Sequence, residues 1–233
     1  MPSFDIVKHV SPDETFRVKS VIGAFDLDLD HVDEHFAGNI DIEGKDWNIG
    51  LIVGGSGTGK STIAKEVFGG QYIFGFDYQA KSVIDDMPKE KSIKEVERAF
   101  TAVGFASPPS WLKPYGVLSN GEKMRVDLAR SILEDRDIIV FDEFTSVVDR
   151  TVAKTAALAI SKAVRREGKK FVAVACHRDI IEWLQPDWIY DTDEQNFLSS
   201  RESSTARQSS SKYTGLTTRL KSGYGTFSGS ITI

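Results

Sequence analysis

Residues 54–62 read GGSGTGKST and combine a glycine-rich stretch with a lysine and two kinds of hydroxyl side chain. They satisfy the pattern G-x-x-x-x-G-K-[ST], between a short apolar run at residues 47–53 and helical character that begins at Lys60. Glycines in such a loop let the backbone wrap a phosphate, and amides at a helix N-terminus donate to phosphate oxygens. The motif predicts a phosphate site in which Lys60 neutralises charge and Ser61 ligates Mg²⁺. The residues expected to contact the ligand are Gly54, Gly55, Ser56, Gly57, Thr58, Gly59, Lys60, Ser61 and Thr62.

Residues 137–144, DIIVFDEF, place two carboxylates at the end of another apolar run. A buried strand there would present both side chains at the carboxyl edge of a parallel sheet. Asp142 would hold Mg²⁺ through water, and Glu143 would act as general base on an attacking water molecule. Two surface acids at a strand end are common, so it is the phosphate motif in the same chain that favours the functional interpretation.

Residues 118–122, LSNGE, come directly before or within the start of a predicted helix. Alone, they predict a capped helix, with Ser119 or Asn120 as the N-cap. Together with the other two motifs, they resemble the LSGGQ signature of the ABC-type ATPases, with departures at Asn120 and Glu122. This resemblance implies that Ser119 and Gly121 contact the γ-phosphate of ATP, and that the chain binds Mg²⁺ and ATP and hydrolyses ATP.

Two later segments are similar to further marks of this family and fall in the same order. FTSVVDR, which follows Glu143, resembles the D-loop, and this implies that Asp149 bridges two subunits. His177 stands 34 residues beyond Glu143 and resembles the switch histidine. The resemblance therefore implies a catalytic group of Glu143, His177 and Lys60, although a histidine after a strand is otherwise typical of a structural turn.

The metal ligand of the Q-loop and the aromatic ring that stacks on adenine have weaker candidates. Gln79 is the Q-loop candidate, with a surface glutamine as the alternative because it stands only 19 residues past Lys60. Phe25 is the candidate for the stacking ring, with Phe16 as a competitor and core packing as the alternative for both. The implied metal ligands are therefore Ser61, Asp142 and Gln79.

Apolar strands and amphipathic helices alternate along the chain, which predicts an α/β fold with a mostly parallel sheet. Within it, the resemblance implies a P-loop NTPase of the ABC type, with N-terminal antiparallel strands and a small helical subdomain. We expect strands at residues 16–27, 47–53, 72–76, 137–141 and 170–175, and helices at residues 92–103, 151–166 and from residues 60 and 120 onward. A short helical turn is expected at residues 30–36.

Charge divides the 233 residues into two unequal parts, although the formal total is only −5. Residues 199–233 contain five basic residues and one acidic residue, together with ten serines and six threonines. This composition predicts a flexible Ser/Thr-rich basic tail, with a terminal edge strand at residues 227–233 as the alternative. Residues 1–198 carry −9 and are interpreted as the ABC-type ATPase domain.

The overall balance argues against a basic nucleic-acid binder. The single cysteine and the absence of a long apolar run or a leader pattern predict a cytoplasmic protein. The resemblance implies a head-to-tail homodimer with two ATP molecules at its interface. On this basis we expect a soluble ABC-type ATPase that opens and closes on a cytosolic protein partner. An ATP-binding subunit of a membrane transporter and a nucleotide-gated binding module with little hydrolysis are the alternatives.

Overall fold

A computed structural model describes residues 3–9, 12–26 and 34–199 of the chain. At its N-terminal end, β1 (Ser3–Lys8) and β2 (Glu34–Asn39) form a two-stranded antiparallel sheet. The register places Ser3 opposite Asn39 and Ile6 opposite Phe36. The predicted N-terminal antiparallel strands are therefore present, but they lie on either side of residues 16–27 rather than within them.

The central sheet has six strands among the described residues. They are β3 (Ile49–Val53), β4 (Tyr72–Ile73), β5 (Ile138–Phe141), β6 (Lys170–Ala175), β7 (Trp188–Asp191) and β8 (Asn196–Ser199). Their order is β4-β5-β6-β3-β7-β8, and the pairs from β4 through β7 are parallel. The carboxyl ends of these five strands therefore meet at one edge of the sheet, where loops are placed to bind ligands.

Seven α-helices occur in the described part of the chain. They are α1 (Phe16–Phe25), α2 (Lys60–Phe68), α3 (Ile93–Ala102), α4 (Pro108–Trp111), α5 (Asn120–Leu133), α6 (Arg150–Glu167) and α7 (Ile180–Leu184), and short 3₁₀ turns span Gly69–Gln71 and Tyr115–Val117. Local signals fix several ends: Ser92 and Glu95 form a capping box at α3, and Gly168 ends α6 in the left-handed conformation.

The sheet separates two hydrophobic layers. On one side, Ile49, Leu51 and Val53 of β3 belong to a cluster with residues of α3, α5 and α6. On the other side, Ile52 packs with residues of β1, α2 and β7. A strand buried on both faces reads as a continuous apolar run, which explains why β3 was predictable from its sequence.

The α/β fold, its mostly parallel sheet and the helices α2, α3, α5 and α6 are as predicted, but two local predictions are wrong. Residues 16–25 form a helix instead of strands, because the Thr15 side chain accepts the Val18 N–H and Asp26 closes the C-terminus in the left-handed conformation. No residue of α1 is buried, so its apolar side chains do not mark a sheet face. Residues 34–36 belong to β2 rather than to a helical turn, and residues 30–33 lie outside the described part.

The described residues, apart from Ser199, fall in a compact unit that spans residues 1–198. The predicted tail, including the alternative strand at residues 227–233, lies outside the described residues from position 200 onward and stays a prediction. None of the helices in the described ranges has the length and apolar character needed to cross a membrane.

Candidate nucleotide site

The glycine-rich loop connects the carboxyl end of β3 to the N-terminus of α2. Gly59 occupies the N-cap position of α2, where no side chain of the described residues caps the helix and no acid lies in its first turn. Such a helix end leaves backbone donors for an anion. Lys60 donates its ammonium to the carbonyl oxygen of Gly55, and Thr58 Oγ1 donates to the same oxygen at 2.9 Å.

Phe36 of β2 lies against this loop. Gly59 has a φ of +78°, and a Cβ built on it would lie 2.4 Å from Cε1 of the Phe36 ring. Only glycine combines that backbone conformation with so close an aromatic neighbour. The antiparallel sheet therefore places an aromatic side chain on the glycine that opens α2.

The acidic strand end lies beside the loop because β5 and β3 flank β6 in the sheet. Tyr72 of β4 donates its hydroxyl to Asp142, and the side chain of Ser61 acts on the same hydroxyl to lower its pKa. Burial, followed by the hydrogen bond and the charge of Asp142, raises the pKa of Tyr72 well above its usual range. The hydroxyl of Ser61 and the carboxylate of Asp142 are thus gathered around one phenolic oxygen, and oxygen ligands of this kind suit Mg²⁺.

Glu143 is exposed and has a backbone φ of 51°, while Thr145, two residues later, is buried and has a φ of 68°. The left-handed region costs a non-glycine residue on the order of 1–3 kcal/mol, and such strain collects at functional sites. The Glu143 N–H donates to Asp142 Oδ1 at 2.9 Å, and the Phe144 N–H donates to the Val174 carbonyl oxygen at 2.9 Å. These bonds hold the strained turn at the end of β5.

His177 follows β6 and is half-buried. The next residue, Arg178, donates to both carboxylate oxygens of Asp191 and, at 2.6 Å, to Asp193 Oδ2. Asp193 in turn accepts the Gly55 N–H at 2.9 Å. Partial burial acts to raise the pKa of Asp193, but the hydrogen bond from Gly55 and the Arg178 guanidinium outweigh it and hold that pKa below its usual range. The histidine segment is therefore connected to the glycine-rich loop through a charged carboxylate.

Ser119 is the N-cap of α5 and forms a capping box with Glu122. The Ser119 hydroxyl donates to Glu122 Oε2 at 2.8 Å, and the Ser110 hydroxyl donates to Glu122 Oε1 at 2.8 Å. The helix-cap interpretation of LSNGE is therefore correct for Ser119. The pKa of Glu122 is lowered by the Ser119 N–H and by the hydroxyls of Ser110 and Ser119.

Asp149 is the N-cap of α6 and accepts the N–H groups of Thr151 at 2.9 Å and of Val152 at 3.0 Å. A Cβ on Gly121 would lie 3.1 Å from Cγ1 of Val152, so the first turns of α5 and α6 are in close contact. The structure thus groups Ser119, Gly121 and Asp149 at two adjacent helix N-termini. It separately groups residues 54–62, Asp142, Glu143 and His177 at the strand ends.

The segment that carries Gln79 is attached to α5 through the half-buried carboxylate of Asp127. Tyr78 and Tyr115 stack with ring centroids 3.9 Å apart and donate to the two oxygens of Asp127 at 2.7 and 2.8 Å. Burial raises the pKa of Asp127, while the two tyrosine hydroxyls act to lower it. Arg130 donates to the Asp77 carbonyl oxygen at 2.8 Å, which fixes the backbone beside Gln79.

No protein-family model matches the sequence. The ABC multidrug transporter atrD of Emericella nidulans is 32% identical over 136 residues, which cover 56% of this chain and 10% of that protein. An uncharacterized ABC transporter ATP-binding protein of Haemophilus influenzae is 31% identical over 127 residues, covering 42% of this chain and 52% of its own length. The chain therefore spans about a tenth of the first relative and about half of the second.

Solved structures agree on the fold. The cbiO1 protein of Clostridium perfringens, described as part of the ABC transporter complex cbiONQ, superposes with a TM-score of 0.57 at 19% identity and covers 75% of this chain and 84% of that chain. A bacterial ABC transporter cassette solved as a dimer gives a TM-score of 0.52 at 14% identity, covering 70% of this chain and 88% of its own. The fold of this chain is that of an ABC-type nucleotide-binding domain.

Two of the predicted site residues, Gln79 and Phe25, do not join the others. Gln79 donates its side-chain amide to Asp77 Oδ2 at 2.5 Å and its backbone N–H to Asp86 Oδ1 at 3.1 Å, so it bonds within its own segment rather than to Ser61 or Asp142. Tyr72 is the residue found between those two. Gln79 is exposed, as its surface-glutamine alternative predicted.

Phe25 lies at the C-terminal end of α1 and is 72% exposed, while Phe16 is 86% exposed. Neither ring is packed in the core, whereas the Phe36 ring lies on the glycine-rich loop at Gly59. The sequence reasoning missed Phe36, Tyr72 and Asp193. Tyr72 lies in β4, and Asp193 follows β7. A correct prediction of the strand order would have indicated that both lie near the phosphate loop.

Proposed function

We propose that this chain binds Mg²⁺ and ATP and hydrolyses ATP in a head-to-tail dimer. The contact series Ser61–Tyr72–Asp142 carries this proposal, because it brings the hydroxyl after Lys60 and the carboxylate at the end of β5 to one point. Mg²⁺ bound there would neutralise phosphate charge. Ser61 and Asp142 are its proposed ligands. Tyr72, and not the predicted Gln79, is the residue that lies between these two side chains.

Lys60 can leave the Gly55 carbonyl oxygen to bind phosphate oxygens, and the uncapped N-terminus of α2 offers N–H donors beside it. Glu143, which is exposed at the strained end of β5, would accept a proton from the attacking water, and His177 at the neighbouring strand end would contact the γ-phosphate. Phe36 on Gly59 replaces Phe25 as the proposed ring for the base. Aromatic stacking accepts any base, so it sets no base preference.

The dimer is proposed because one chain places the signature residues and the phosphate loop on different elements. Ser119, Gly121 and Asp149 stand at helix N-termini, while the phosphate loop follows β3. In a two-fold head-to-tail pair, the Ser119 hydroxyl of one copy would face the phosphates bound by Lys60 of the other. The matched bacterial cassette that was solved as a dimer supports this arrangement.

Glu143→Gln tests both the hydrolysis and the dimer. We expect this variant to retain ATP, to hydrolyse it about 10²- to 10⁴-fold more slowly, and to elute as a dimer in Mg-ATP on size-exclusion chromatography. Glu97→Gln, an exposed carboxylate on α3, is the matched control and should behave like the wild type. A Glu143→Gln chain that stays monomeric in Mg-ATP would contradict the dimer, and unchanged turnover would contradict the role of Glu143.

The partner driven by this cycle is proposed to be a membrane component. The matched relatives are named as ABC multidrug transporters and an ABC transporter ATP-binding protein, and these names favour the transporter alternative over a purely cytosolic partner. Tagged chain expressed in its native host should sediment with membranes and co-purify, in detergent, with a multi-span protein. Recovery only in the supernatant, at native expression, would instead support the cytosolic partner.

A further inference from the structure

Side chains of the same chain bind both the backbone N–H and the carbonyl oxygen of Gly55. Its N–H donates to Asp193 Oδ1 at 2.9 Å and to Oδ2 at 3.1 Å. Its carbonyl oxygen accepts hydrogen bonds from Lys60 and from Thr58. A carboxylate therefore lies on the backbone of the loop that the proposed function assigns to the phosphates of ATP.

This carboxylate is held in place by two attachments. Arg178 donates to Asp193 Oδ2 at 2.6 Å and to Asp191 Oδ1 at 3.0 Å. Thr192, between the two aspartates, has its hydroxyl 2.6 Å from that of Thr58, and its N–H donates to the Val53 carbonyl oxygen at 2.8 Å. The turn after β7 is thus joined to the phosphate loop at its start and at its middle.

We propose that Asp193 opposes ATP binding by competing with the phosphates for Lys60 and the loop, and that Arg178 is a positioning residue that limits this opposition. Two observations carry the inference: the carboxylate bonds the Gly55 amide, and the guanidinium bonds the carboxylate. The inference rests on the proposed function, because it concerns the affinity of the same loop for ATP.

The charges determine the direction of the effect. Asp193 interacts electrostatically with both Arg178 and Lys60. An incoming polyphosphate repels the Asp193 carboxylate. It must also draw the Lys60 ammonium from the Gly55 carbonyl oxygen against the attraction of Asp193. Arg178 offsets part of the negative charge on Asp193, so loss of Arg178 leaves a stronger repulsion at the loop. Because Arg178 directly follows His177, this compensation depends on the position of the histidine segment.

Asp193→Asn is the first test, since asparagine retains an acceptor for the Gly55 N–H but has no charge, and the Arg178–Asp191 pair stays in place. We expect ATP, measured by isothermal titration calorimetry without Mg²⁺ and again with it, to bind about three- to tenfold more tightly than to the wild type. Glu194→Gln is the matched control, because it removes one negative charge from the adjacent, exposed position. Equal affinities for Asp193→Asn and Glu194→Gln would overturn the proposal.

Arg178→Gln is the second test. We expect it to weaken ATP binding by about three- to tenfold, Arg178→Lys to recover most of the loss, and the double variant Arg178→Gln/Asp193→Asn to bind at least as tightly as the wild type. A purely structural role for Arg178 would leave the double variant as weak as Arg178→Gln, and that result would contradict the proposal. Thermal melting identifies any Arg178 variant that fails to fold, in which case Asp193→Asn decides alone.

The proposed function and this inference fail in different ways. If the wild-type chain does not bind ATP, or if Lys60→Ala binds as the wild type does, the nucleotide site itself is wrong. If Lys60→Ala loses binding while Asp193→Asn and Arg178→Gln match the wild type, the nucleotide site stands and only the Asp193–Arg178 inference is lost.

Discussion

Two helix N-termini in this molecule are built in opposite ways. The N-terminus of α2 begins at Gly59, has no side-chain cap and carries no acid in its first turn. The N-terminus of α5 is closed by Ser119 and Glu122, each of which binds the backbone N–H of the other. One helix leaves its donors for another molecule, and the other satisfies two of them within the four residues from Ser119 to Glu122.

This difference in capping indicates the order in which the two helix N-termini can bind phosphate. The α2 end can receive an anion as soon as Lys60 leaves the Gly55 carbonyl oxygen. The Ser119 hydroxyl has one proton to donate, and that proton is used on Glu122 Oε2. Ser119 must therefore exchange Glu122 for a phosphate before it can contact the ATP of another subunit. We expect binding to begin at α2 and to reach α5 only when two chains meet.

The largest expected effect separates the two helix ends directly. Lys60→Ala should weaken ATP binding to dilute, monomeric chain by about 10- to 100-fold, because it removes charge-assisted hydrogen bonds to the phosphates. Ser119→Ala should leave the affinity of the monomer within about twofold of the wild type and should reduce ATP-dependent dimerisation. Calorimetry on dilute protein and light scattering on concentrated protein measure the two properties.

Lys154→Ala, an exposed lysine on α6, is the charge control for Lys60→Ala. A large loss of monomer affinity in Ser119→Ala would show that α5 takes part in the first binding step. That outcome would remove the distinction between the two helix ends.

The next largest effect concerns the attachment of α5 to the segment that carries Gln79. Tyr78→Phe removes a hydrogen bond from the half-buried Asp127 carboxylate and should lower the free energy of unfolding by about 1–3 kcal/mol. Tyr115→Phe removes the bond to the other oxygen, and the double variant should depart from additivity because both hydroxyls share one carboxylate. Urea denaturation of the four chains measures the coupling, and strict additivity would contradict a shared role.

The smallest effect is a pH dependence at the α5 cap. The pKa of Glu122 lies below its ordinary value of 4.5, so its contribution to stability is present above about pH 4.5 and is lost as the pH falls through the lower value in the folded chain. Glu122→Gln should therefore cost about 0.5 kcal/mol near neutral pH and less in acid, where the carboxylate of Glu122 is protonated. Urea midpoints between pH 3 and pH 7 measure this difference, and a constant difference would contradict it.

The sequence predicted the parts of the molecule that depend on neighbours along the chain. The loop at residues 54–62, the buried strand before it and the helix after it are continuous in sequence, and so is the cap at Ser119. Residues 16–25 were misassigned because apolar and β-branched residues normally indicate burial, whereas α1 buries none of them and is fixed by Thr15.

The missed residues depend on contacts between distant positions. Tyr72 reaches Asp142 across 70 positions, and Asp193 reaches Gly55 across 138. Both contacts follow from the sheet order, which places β4 beside β5 and β7 beside β3. The order of the central sheet could not be obtained from the sequence reasoning, because the strand Trp188–Asp191 was not predicted. Phe36 was missed for a separate reason, since its segment was assigned to a helical turn instead of β2.

Cys176 offers a single labelling position for following the proposed nucleotide cycle. It is the one cysteine in the sequence, it is exposed, and its Sγ lies 3.8 Å from the hydroxyl of Ser146 in the segment before Asp149. A thiol-reactive fluorophore would therefore attach at a single position in the unaltered chain, directly beside His177. Its emission would follow the histidine segment through nucleotide binding and release in real time, without any prior removal of competing thiols.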